Sequence, residues 1–192
     1  MKTASGASLH GLSTDRFPVS TCLFTAITAG NAVSNTTTET SVFTGATPSA
    51  GSTRTIEAGS AAIGTVYKIF LPAQLLATGS PTLNIRVKLG STNIAITGPV
   101  TAPNTANGLL YLEAYITVIG VGGGGAARAE IQGKMLPAIA GAVTPVFFVG
   151  TIGTVGIDFT VNQTIDVTVE WGTANVGNLV QMIPDVDIER GR

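Results

Sequence analysis

The chain has 192 residues, of which only 21 are Asp, Glu, Lys or Arg, where an ordinary soluble domain carries roughly a quarter. Ten basic against eleven acidic residues leave a net charge of −1 and no Lys/Arg cluster to track a phosphate backbone, so nucleic acid is not an expected partner. Acid–base, nucleophilic and metal chemistry draw on the same scarce side chains, so the composition argues against an enzyme and for a chain that spends its surface against neighbours.

Residues 1–37 are rich in Ser, Thr, Ala and Gly. They read either as an ordinary terminus joined to a first strand over 20–27, or as an extended arm that orders on a neighbouring subunit by adding to a sheet edge. Lys2 is followed by no apolar run, and no stretch reaches 18 consecutive apolar residues; neither a signal peptide nor a membrane span is expected. His10 is the only histidine; alone it builds no His-based metal cage, and a triad with Asp15 would have to form in the tail. Cys22, the only cysteine, cannot form an internal bridge and reads as a small hydrophobe buried in a strand.

Residues 38–192 are long enough for one domain that needs no metal or disulfide staple. Strand signals of moderate strength lie over 38–44, 54–58 and 66–71. Pro72 to Ala77, with Gly79 beyond, predicts one or two turns of helix, proline at the start and glycine after the end. The clearest strand follows at 82–89, where Leu83, Ile85, Val87 and Leu89 alternate with Asn84, Arg86 and Lys88. Gly90-Ser91 and Gly98-Pro99 are turn signals on either side of a strand over 93–97.

Over 110–119 the inward set is Leu112, Ala114, Ile116 and Val118, which turns Tyr111, Glu113, Tyr115 and Thr117 outward. Gly120 to Gly125 fits G-x-G-x-x-G, but no Asp or Glu occurs between Ile131 and Ile157 to hold a ribose. A loop joining two antiparallel strands is the expectation there. Strands over 127–132, 143–149 and 156–161 precede a second clear one over 164–171, whose inner face ends in Trp171, read as core.

The last alternating stretch, 180–188, sets Asp185, Asp187 and Glu189 on one face. Three like charges so placed need compensation. A calcium ion would need loop ligands that a straight strand does not bring. Arg86 and Lys88 are therefore expected to pair with Asp185, Asp187 and Glu189, across the sheet or across a subunit interface. Tyr111 and Tyr115 make either a small sugar-stacking platform or part of a subunit interface, where tyrosine is enriched. No catalytic, cofactor or metal residues are assigned. Two N-x-T sites, at Asn35 and Asn162, carry little meaning without a secretory signal.

Many short strands with regular turns predict an all-β antiparallel sandwich, most readily a jelly roll, with a barrel as the alternative. The stretches Thr38 to Phe43, Leu71 to Leu76 with Gly79, and Leu83 to Thr92 resemble a pattern common in small virion proteins of tailed bacteriophages. So do the strands around Leu110–Ile116 and 164–170. The resemblance spans roughly 38–190, although about 30 residues separate the Glu-Thr strand from the proline-alanine element where that pattern keeps them close. It implies a jelly-roll subunit on the outer capsid surface of a virion assembled in the host cytoplasm. Such a subunit is often a homotrimer that binds the major capsid protein as a decoration or cement protein. A tail or fibre adhesion module that binds host surface glycans is the alternative function.

Overall fold

The computed structural model describes residues 21–138, 144–184 and 186–191. Within them the chain is all-β: two antiparallel sheets packed as a sandwich. The larger contains β1 (Thr21–Thr25), β2 (Val33–Ser34), β5 (Val66–Ala77), β9 (Thr105–Gly120), β10 (Ala126–Leu136), β11 (Val146–Gly156), β13 (Leu179–Met182) and β14 (Asp187–Gly191). Its main path runs β1-β14-β5-β9-β10-β11, and β13, which also pairs β2, extends β5 beyond β14. The smaller runs β3-β12-β6-β7, from β3 (Thr40–Ser41), β12 (Gln163–Trp171), β6 (Thr82–Leu89) and β7 (Thr92–Ile96). Two further short strands join it, β4 (Thr55–Ile56) on β12 and β8 (Val100–Thr101) on β6. This order is compatible with a jelly roll.

Period-two alternation decides which face each strand buries. On β6, Leu83, Ile85, Val87 and Leu89 are buried and meet Ile165, Val167, Val169 and Trp171 of β12 in register. Tyr67, Ile69, Leu71 and Leu75 of β5, with Leu110, Leu112 and Ile116 of β9, supply the core from the other sheet. Trp171 is fully buried, and its indole N–H donates to the Val33 carbonyl at 3.2 Å, so the ring carries no unpaired polar atom.

The helix expected over 72–77 is absent: those residues are the second half of β5, whose alternation continues unbroken to Ala77. The proline fits because of where β5 changes partner. Its first half pairs with β14 from Asp187 to Gly191, its second half with β13 up to Met182, and Pro72 falls between. The Pro72 carbonyl accepts from Ile183 N at 3.0 Å, so the side of the strand lacking an N–H faces the link between β13 and β14, not a ladder.

The same break splits the single strand expected over 180–188 in two. The segment 156–161 is no strand beyond Gly156; Asp158 and Thr160 form a turn held by Thr160 N and Oγ1 on Asp158 Oδ1. Cys22 is exposed, not buried: a register shift between Cys22 and Phe24 on edge strand β1 turns Phe24 into the core and leaves the thiol outside. The Gly120–Gly125 segment closes the β9–β10 hairpin and leads into a strand. Gly125 is needed there because a Cβ would press on the Ile157 carbonyl and the Phe159 ring, 2.7 and 2.8 Å away.

Trp171→Ala should lower unfolding free energy by about 3–5 kcal/mol, the cost of emptying a buried aromatic site. Urea denaturation checks this; a loss below about 1 kcal/mol would mean that Trp171 does not anchor the core.

Candidate functional site

Most of the described charges lie on the outer faces of the two sheets. On the smaller sheet, Arg86 and Lys88 of β6 stand beside Thr168 and Asp166 of β12 in register. Glu39, just before β3, reaches over them. Its carboxylate accepts from Lys88 Nζ at 2.7 Å and Thr168 Oγ1 at 2.8 Å, and lies 3.6 Å from Arg86 Nη1. Arg86 Nη2 also donates to Glu170 at 2.5 Å. Next to this cluster, Arg54 Nη1 pairs with Asp166 at 3.1 Å, and Ser41 Oγ donates to the same oxygen at 2.6 Å. The Arg54 guanidinium also lies over the Phe43 ring, 4.6 Å from its centroid.

Arg86 and Lys88 therefore do not pair with Asp187 and Glu189 within the chain, as the alternation alone suggested. The two sets sit on different sheets, and Glu39 and Glu170 satisfy the basic pair locally. Asp185 lies outside the described residues, as do His10 and the first 20 residues of the arm or first strand expected over 1–37; of the remainder, Thr21–Thr25 and Val33–Ser34 are strands of the chain's own larger sheet, β1 on β14 and β2 on β13.

Asp187 and Glu189 are on the outer face of the larger sheet, where register assembles a second surface. Across the strands, Glu189 lines up with Lys68, Tyr115, Glu130 and Thr151; Asp187 with Phe70, Glu113, Gln132 and Val149; and Pro72 with Tyr111, Lys134 and Phe147. Four of the expected residues, Tyr111, Tyr115, Asp187 and Glu189, thus share one face. Lys68 opposite Glu189 is the basic neighbour that the acidic face of β14 requires. Asp187 accepts from Thr25 Oγ1 at 2.7 Å.

Toward β11 this face becomes apolar and hollow. A groove of about 430 Å3 is lined by Phe70, Tyr111, Phe147 and Val149, with Glu113, Gln132 and Lys134 as its polar members. Phe147 and Val149 are 73% and 75% exposed, an unusual state for two large apolar side chains on one strand. Around it the polar groups are held: Tyr115 O–H and Gln132 Nε2 donate to Glu113 at 3.0 and 3.2 Å, and the Lys134 ammonium lies 5.5 Å from the Tyr111 ring centroid. The bonds from Gln132 and Tyr115 hold the Glu113 carboxyl below its ordinary range, while burial, then the Glu113 bond, raises the Tyr115 phenol. Among the described residues no group of three or more His, Cys, Asp or Glu could hold a metal ion. No helix there is long and apolar enough to cross a membrane.

Phe70, Lys68, Phe147 and Val149 escaped the sequence reading. Extending the alternation of 66–71 through Pro72 would have placed the first two outward, and the consecutive Phe147-Phe148 pair forces one of the two rings off the core face.

Burial raises the Glu39 carboxyl, but hydrogen bonds from Lys88 and Thr168 and the charges of Lys88 and Arg86 outweigh it, leaving the pKa below its ordinary 4.5. A lowered folded pKa contributes stability that is complete above pH 4.5 and is lost as pH falls through the folded value. Glu39→Gln should therefore cost about 1 kcal/mol near neutral pH, and its urea midpoint should decline less than the wild type's on acidification. Parallel acid limbs for the two proteins would remove Glu39 from the pH response. Comparison of the chain with protein-family models, with curated proteins and with solved structures finds no match in any of the three.

Proposed function

We propose that this chain is a non-enzymatic structural protein of a phage virion, a decoration or cement subunit that binds the outer surface of the assembled head and stabilises it. The observation that carries the reading is the outer face of the larger sheet, where Phe70, Tyr111, Phe147 and Val149 form an exposed apolar groove with a polar fringe. Such a face suits contact with another protein surface. The charge distribution supports the same reading: Arg54, Arg86, Lys88, Glu39, Asp166 and Glu170 are used against one another across strands, so they brace sheets and are not gathered around a hollow. The resemblance to small virion proteins supplies the particle.

A cement subunit binds the assembled lattice and not its dissociated parts, so it stabilises by mass action, and many weak contacts add up across copies. Its partner would be the major capsid protein. The groove itself also favours a second reading, a tail or fibre module that stacks sugar rings on Tyr111 and Phe70 with Glu113 and Gln132 as hydrogen-bonding groups.

Particles assembled without this protein should lose their contents at a temperature several degrees lower than complete ones, and complete particles should hold it in hundreds of copies. Thermal release assays and quantitative mass spectrometry measure both. Unchanged head stability with a handful of copies and lost host attachment would overturn the cement reading in favour of adhesion.

A further inference from the structure

Strand registers bring several connections together at one end of the larger sheet. Thr21 of β1 pairs with Arg190 of β14, Gly191 of β14 with Val66 of β5, Val66 with Thr117 of β9, and Gly120 of β9 with Ala126 of β10. The segments 57–65, 119–125 and 157–162 meet there and are laced by backbone bonds. Gly64 N donates to the Val118 carbonyl at 2.8 Å, Gly59 N to the Phe159 carbonyl at 2.8 Å, and Phe159 N to the Gly122 carbonyl at 3.0 Å. Ala58 N donates to Asn162 Oδ1 and Arg190 Nη2 to the Ser60 carbonyl, both at 2.8 Å. The loops therefore brace one another into a tip.

The surface of this tip is apolar. Ile63, Ile119, Val121 and Val161 are between 42% and 67% exposed, and the three segments hold only two charged residues, Glu57 and Asp158, the second of which accepts from Thr160. Four large aliphatic side chains on braced loops favour being covered. The tip is well separated from the groove of the outer face: Tyr111 and Ile119 stand eight residues apart on β9, about 27 Å along the strand.

The described chain begins at this same tip. β1 runs away from it, and residues 1–20 are tethered there through Thr21, beside Arg190. Two strand spacings separate β1 from β5 and three separate it from β9, roughly 10 and 14 Å. About five residues of extended chain, at up to about 3.3 Å each, cross that gap. The segment brings its own apolar side chains, Leu9, Leu12, Phe17 and Val19. Tethering sets its effective concentration at the tip on the order of millimolar, so a free partner at micromolar concentration competes at a disadvantage. We propose that the tip bearing Ile63, Ile119, Val121 and Val161 is the docking surface for the chain's own residues 1–20, seated by Leu9, Leu12, Phe17 and Val19. The contact is made within one chain, leaves the groove free for a partner, and does not rest on the virion reading.

Limited digestion with trypsin tests this on the full chain, because Arg16 lies inside the proposed contact and its cleavage tracks the fraction of molecules in which the segment is unseated. Loss of residues 1–16, followed by mass spectrometry, should be at least about tenfold slower than cleavage of a free peptide of residues 9–23. The double variant Ile63→Glu/Val121→Glu should bring the rate to within about twofold of the peptide's while the domain still melts cooperatively. If charge at those positions lowers the melt, Ile63→Ser/Val121→Ser must give the acceleration instead. Val176→Glu, at a residue 86% exposed at the opposite end of the sheet, should leave the rate as it is. A wild type cleaved as fast as the peptide would overturn the proposal. So would protection that persists in both tip variants, or equal acceleration in the Val176 control. Protection that grows between about 1 and about 100 μM would also overturn it, since the segment would then be seated on a second copy.

Discussion

Strand β5 is paired along both edges, with one break at Leu71 and Pro72 on the β13/β14 side, and the larger sheet is organised around it. On one side lies β9, in continuous register from Val66–Thr117 to Leu75–Gly108; on the other, β14 and then β13. Its inward residues Tyr67, Ile69, Leu71, Ala73 and Leu75 are all buried. Its outward residues Lys68, Phe70 and Pro72 align the acids of β14 with the tyrosines of β9. Remove that alignment and the outer face has no groove.

The apolar alternation and the charges contribute unequally. A register slip by one residue would turn the whole set Leu83, Ile85, Val87 and Leu89 out of the core, at several kcal/mol in total by the usual burial coefficient. The ion pairs of Glu39, Arg86, Lys88 and Glu170 are partly exposed and are worth about 1 kcal/mol or less each. Alternation therefore fixes the register, and the charges add specificity at its margin. Their scarcity is tolerable because most of the polar outer positions are filled by Thr, Asn and Gln.

How much could be read from the sequence follows from this division. The segment 82–89 is β6 residue for residue, and 164–171 is β12 less its first residue, because both alternate without interruption. Outward placement of Tyr111 and Tyr115 followed from the same rule. Pro72 defeated it: a proline ahead of Ala-Gln-Leu-Leu-Ala carries local helix signals, and only the change of partner from β14 to β13 explains its place in a central strand. The partners of Arg86 and Lys88 were beyond reach for a different reason. Glu39 precedes Lys88 by 49 positions in an irregular segment, and nothing local tells which sheet a charged strand joins. The groove depends on β9, β10 and β11 lying in register, with Gly133 leaving room for the Phe148 ring, which is likewise a property of the assembled sheet.

The position of β14 between β1 and β5 has a consequence for how the chain folds. β1 touches the larger sheet's path through β14 alone, and Thr25 and Asp187 meet although 162 positions separate them. The first strand of the described residues must wait for the last before it has a ladder to join. Closing so long a loop is slow, so β1 and the Phe24–Phe43–Arg54 stack beside it should acquire protection from hydrogen exchange last, well after the β9–β10 hairpin. During that interval the β14-facing edge of β5 is open to solvent. A newly made chain is then most exposed to wrong pairing at the strand that later becomes the centre of its sheet.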